Sequence, residues 1–83
     1  MPDYKIYYWV QQGERGRAVC ENVTTESMDG ASDWAQANLE KKSFVFDSDQ
    51  DGRVIVVSAH VQFIEIEDAG HVDDSPPTVL HIA

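Results

Sequence analysis

The sequence predicts a small α+β protein: a mostly antiparallel sheet in the order β-β-α-β-β-β, with one helix packed on one face. Three observations carry this expectation. Several runs are rich in aromatic and β-branched residues and short enough to be strands. Turn-forming clusters separate them at hairpin distances. A single segment repeats apolar residues at helical spacing. At 83 residues the chain has room for one domain with a small core. The compact part is expected over residues 1–68, followed by an acidic, proline-containing linker and a short apolar segment over 69–83.

The first strand is Tyr4-Lys5-Ile6-Tyr7-Tyr8-Trp9-Val10. Tyr4, Ile6, Tyr8 and Val10 fall on one face, Tyr7 and Trp9 on the other, so both faces are apolar. The polar stretch from Gln11 to Gly16 supplies a turn, and Arg17 to Thr24 reads as the returning strand. The segment Ser27 to Asp33 then gathers capping residues and acids of the kind a helix N-terminus favours. Met28, Ala31, Ala35 and Leu39, with Trp34 beside them, form one apolar helix face over about 28–41, and Lys41 and Lys42 suit its C-terminal end. Its stripe is thin, so the helix needs a sheet to lie on.

Three more strands are expected at Ser43–Phe46, Arg53–Ser58 and Val61–Glu67, with His60 in the turn before the last. Within the last one the apolar phase shifts from Val61 and Phe63 to Ile64 and Ile66, which predicts a β-bulge near Phe63. Gly70, Pro76, Pro77 and the acids between them read as a linker. The end, Thr78 to Ala83, is β-prone and docks either on its own domain or on another chain.

Charge is the strongest global signal. Fifteen acidic side chains face six basic ones, for a net charge of −9. Residues 1–42 carry −2, and residues 43–83 carry −7 with Arg53 as their one base. Direct nucleic-acid binding and anionic membranes are disfavoured by this charge; neutral or basic partners are favoured. Met1–Val10 lacks the pattern of a secretory signal, and no apolar run approaches membrane-spanning length. The single Cys20 makes no intramolecular disulfide. A cytoplasmic protein is expected.

Asp47-Ser48-Asp49-Gln50-Asp51-Gly52-Arg53-Val54 resembles the first eight residues of an EF-hand calcium loop. That resemblance implies side-chain ligation by Asp47, Asp49 and Asp51 and carbonyl ligation by Arg53. The ninth and twelfth positions are Ile55 and Ser58, where the motif needs a ligand and a bidentate glutamate, and Val54 to Val57 is poor material for an outgoing helix. An acidic hairpin loop explains the same residues, so no cofactor is expected, with calcium as the alternative. His60, His71 and His81 lack the close pairing of zinc ligands. No nucleophile elbow, phosphate loop or metal signature marks an enzyme.

The expected function is a non-catalytic protein-interaction module. Its candidate residues are Tyr7 and Trp9, which one short helix does not cover, and the acidic Glu65, Glu67 and Asp68. Packing of two such faces into a homodimer is an alternative. A second alternative is an inhibitor that imitates nucleic acid. Small acidic anti-restriction and anti-CRISPR proteins are similar in size and charge, though no motif links them to this chain.

Overall fold

The computed structural model describes residues 2–12, 15–48, 51–69 and 78–81. Strands β1 (Asp3–Gln12) and β2 (Arg15–Thr24) form a long antiparallel pair, from Asp3 opposite Thr24 to Gln12 opposite Arg15. The ladder outruns the apolar residues because strand pairing satisfies the backbone polar groups of Gln11 and Gln12 as well. Helix α1 (Met28–Leu39) follows, then β3 (Ser43–Ser48), β4 (Gly52–Val57), a 3-10 turn at Ser58–His60, β5 (Val61–Asp68) and β6 (Thr78–His81). The α+β class and the element order agree with the sequence reading.

The strands divide into two antiparallel sheets, where one was expected. β2-β1-β5-β6 is four-stranded and β3-β4 is a separate hairpin. Phe44 and Phe46, two residues apart and therefore on one face of β3, explain the division. Their rings meet Tyr8 with centroids 4.9 and 5.6 Å away. Laid on the face of the larger sheet, the hairpin buries both rings together with Val56.

The expected bulge is present. Trp9 faces Phe63 and Val10 faces Val61, so the register skips Gln62. This places Val61 with Ile64 and Ile66, and all three are buried. The C-terminal strand β6 pairs in cis with β5, from Phe63 opposite His81 to Ile66 opposite Thr78. The expected linker from Gly70 to Pro77 lies outside the described residues.

Ser27 caps α1, its Oγ accepting from the Gly30 N–H at 3.2 Å. The helix ends at Leu39 with Glu40 as its cap, so Lys41 and Lys42 lie just beyond the last turn. Ala31 and Ala35 are fully buried, and their small side chains let the helix backbone approach β1 and β5 closely. The third residue of the buried stripe is Asn38, where Leu39 was expected; Leu39 sits at the margin. Spacings of four and three put Ala31, Ala35 and Asn38 on one line.

Asn38 is tolerated there because it joins a polar cluster. Glu21, only 8 % exposed, accepts at one oxygen, Oε1, from Tyr8 OH at 2.8 Å, Trp34 Nε1 at 3.0 Å and Asn38 Nδ2 at 3.3 Å. Asn38 Nδ2 also donates to Tyr8 OH at 3.0 Å. β1, β2 and α1 are thus tied together by one carboxylate. Burial pushes the Tyr8 phenol far above its usual value, and the Glu21 charge adds to the shift while the Asn38 bond opposes it, so the phenol stays a donor.

Candidate interaction surface

Strand alternation divides the four-stranded sheet. Ile6, Tyr8, Val19, Ile64 and Ile66 face α1 and the hairpin and are buried. The opposite face carries Lys5, Tyr7 and Trp9 from β1, Cys20 and Asn22 from β2, and Phe63, Glu65 and Glu67 from β5. The register makes direct cross-strand neighbours of Trp9 and Phe63, of Tyr7 and Glu65, and of Lys5 and Glu67.

Trp9 and Phe63 stack with centroids 5.5 Å apart and planes 15° from parallel. Trp9 Nε1 has no hydrogen-bond partner among the described residues. Tyr7 OH donates to Glu67 Oε2 at 3.0 Å. Four of the five residues singled out in the sequence therefore come together: Tyr7, Trp9, Glu65 and Glu67. Asp68 does not join them, because it stands opposite Tyr4, in phase with the packed face. Phe63, which completes the aromatic pair, was read in sequence only as part of a phase shift; its position across from Trp9 depends on the bulge.

On the β2 side, a cleft of about 180 Å³ is lined by Lys5, Tyr7, Cys20, Asn22, Ser48 and Asp51. The tip of the β3–β4 hairpin closes it, held by an ion pair of 2.6 Å between Arg17 and Asp51. Ser48 Oγ is buried there without a partner among the described residues. Cys20 is half-buried on this outer face.

The calcium-like stretch begins in β3 and ends in β4. Asp47 is paired with Arg53 across the hairpin at 3.1 Å, both well exposed. Asp51 is engaged by Arg17, and Asp49 lies outside the described residues. Gly52 takes φ +72°, the left-handed conformation that lets a short hairpin turn re-enter its strand. Among the described residues no three His, Cys, Asp or Glu side chains are grouped as a metal site.

Tyr7 provides a titratable reporter for this surface. Its phenol is pushed up to about 12, first by burial, then by the hydrogen bond to Glu67 and by the nearby charges of Cys20, Glu67 and Glu65. Below pH 10 the phenol is protonated in both folded and unfolded chains. Between 10 and 12 the unfolded phenol ionises while the folded one keeps its proton, so this contribution to stability is lost as pH rises through that window. Phenolate absorbance, compared between the wild type and Tyr7→Phe, should assign the late titration to Tyr7. Glu67→Gln should bring it to lower pH; an unmoved titration would show that Glu67 does not act on the phenol.

The fold and this face define a class: a small α+β protein with one sheet face packed and the other bearing aromatic and acidic side chains. Compared with known protein families, with characterised proteins and with solved structures, the chain matches none. No helix among the described residues is long and apolar enough to cross a membrane.

Proposed function

We propose that this chain is a non-catalytic interaction module of the cytoplasm that docks on a neutral or basic protein surface. The supporting observation is the juxtaposition on the outer, half-buried face of the larger sheet of the Trp9–Phe63 stack with Tyr7, Glu65 and Glu67. Aromatic side chains supply contact area with little entropy to lose, and carboxylates around them attract lysine and arginine. The net charge of −9 steers a basic partner inward from a distance and opposes nucleic acid. Cys20 stands as a thiol, which suits a reducing compartment.

A lysine- and arginine-rich peptide of about ten residues is a suitable probe, because a −9 chain attracts it and only a defined face holds it preferentially. Binding is followed by tryptophan fluorescence at two salt concentrations. Glu65→Gln with Glu67→Gln should weaken binding roughly tenfold and flatten its salt dependence. The control, Asp29→Asn with Asp33→Asn on α1, removes equal charge elsewhere and should change affinity far less. Equal losses in the two double variants would reduce the interaction to net charge and defeat the assignment to this face.

A further inference from the structure

We propose that the free edge of β4 joins two copies of this chain, strand to strand, in an antiparallel two-fold dimer. Among the described residues β4 pairs with β3 alone. The Ser58 N–H donates to Lys42 O at 3.0 Å, which sets the alternation of the hairpin ladder. Val56, Val54 and Gly52 are then the positions bonded to β3. The N–H and C=O groups of Arg53, Ile55 and Val57 point the other way, along an edge with no strand beside it among the described residues.

Beyond Arg53, the stretch Val54–Val57 carries none of the usual protective features of a strand edge. Strand edges are commonly blunted by proline, inward-facing charge or a bulge. Val54-Ile55-Val56-Val57 is four β-branched residues in succession, paired with β3 without a register shift. Ile55 is 71 % exposed, its cross-strand neighbour Val45 58 % and Val57 45 %. Beside the strand lies a groove of about 230 Å³ whose walls include Val10, Arg17, Val19, Val54, Val56 and His60. A strand added to β4 would put its inward side chains against Val10 and Val54, both only partly covered by the core.

Charge selects the occupant. None of the groove's lining residues is a carboxylate, and the Asp47–Arg53 pair on the adjoining face cancels itself. A charged strand of either sign therefore finds no counter-charge among the described lining residues, Arg17 being already paired with Asp51. An uncharged, β-prone strand is the complementary ligand, and Val54–Val57 is such a strand. Two-fold antiparallel pairing of β4 with itself matches outward-pointing backbone groups to their equivalents and opposes β-branched side chains across the junction. The C-terminal strand does not compete, being paired in cis with β5.

Two like-charged chains meeting at a neutral patch should associate more tightly as salt rises, the opposite of a basic partner on the outer face. Sedimentation equilibrium of the full chain should show a monomer–dimer equilibrium that strengthens with salt. Ile55→Lys should weaken it roughly a hundredfold with the circular dichroism spectrum unchanged, as an edge lysine does. Glu65→Gln with Glu67→Gln should leave the Ile55 dependence intact, so failure of the outer-face reading and failure of this one are separable. A chain that stays monomeric at every concentration and salt, or a dimer indifferent to Ile55→Lys, would overturn the proposal. Should Ile55→Lys fail to fold, wild-type hydrogen exchange decides: the Ile55 and Val57 amides gain protection with protein concentration, or the proposal fails.

Discussion

Replacing Glu21 by leucine should cost about 3 kcal/mol of folding stability, the upper range for leaving buried donors without an acceptor. Three donors converge on its Oε1, and two of them, on Tyr8 and Asn38, belong to buried residues. Leucine fills much of the space but accepts nothing, so the Tyr8 hydroxyl and the Trp34 indole lose their partner. Asn38 keeps only its bond to Tyr8 OH. Tyr8→Phe should cost less, about 1 kcal/mol, because Glu21 retains two donors. Urea unfolding of both variants tests this order. A Glu21→Leu protein as stable as the wild type would mean that the carboxylate's desolvation costs as much as its three bonds return.

Phe44→Ala should be the most damaging hairpin substitution, at about 4 kcal/mol. Phe44 is buried, touches Tyr8 at a centroid distance of 4.9 Å and stacks on Phe46 at 6.2 Å. β3 and β4 have no ladder to the larger sheet, so side-chain packing is what seats the hairpin on it. Hydrogen exchange should accordingly show the β3–β4 amides losing protection before those of β1 and β5. Uniform loss across both sheets would mean that the hairpin and the larger sheet unfold as one unit. The neighbouring Val45→Ala, at a 58 % exposed position, should change stability by less than about 0.5 kcal/mol.

Much of the fold was legible along the chain. The alternation of Tyr4, Ile6 and Tyr8 marks the packed face of β1, and Ser27 with the alanines after it marks where α1 starts and which side it buries. The phase shift between Val61 and Ile64 predicted a bulge that the register places at Gln62. Each of these signals is local, and strand and helix periodicity translate directly into which side chains share a face. Tyr7 and Trp9 were also readable as a candidate surface, because β1 has more aromatic side chains than a single helix can cover, whereas the register of β5 is what sets Glu65 and Glu67 beside them.

Other features depend on contacts between residues far apart in sequence, and no periodicity announces them. Glu21 looks like an ordinary strand acid; it is buried because Tyr8, Trp34 and Asn38, separated from it by 13 to 17 residues, bring their donors to one oxygen. Phe63 finds Trp9 only through the bulge, and Asp51 finds Arg17 only when the hairpin tip folds back on β2. The sequence by itself determined the helix, the five strands before the C-terminal segment and their order, because local sterics and solvent exclusion act along a few residues at a time. Only the tertiary structure decided that β3 and β4 stand as their own sheet, with no other described strand on the edge of β4. Whether a strand joins a sheet's edge or lies on its face depends on which long-range packing buries more apolar surface, and here two phenylalanines on Tyr8 settled it.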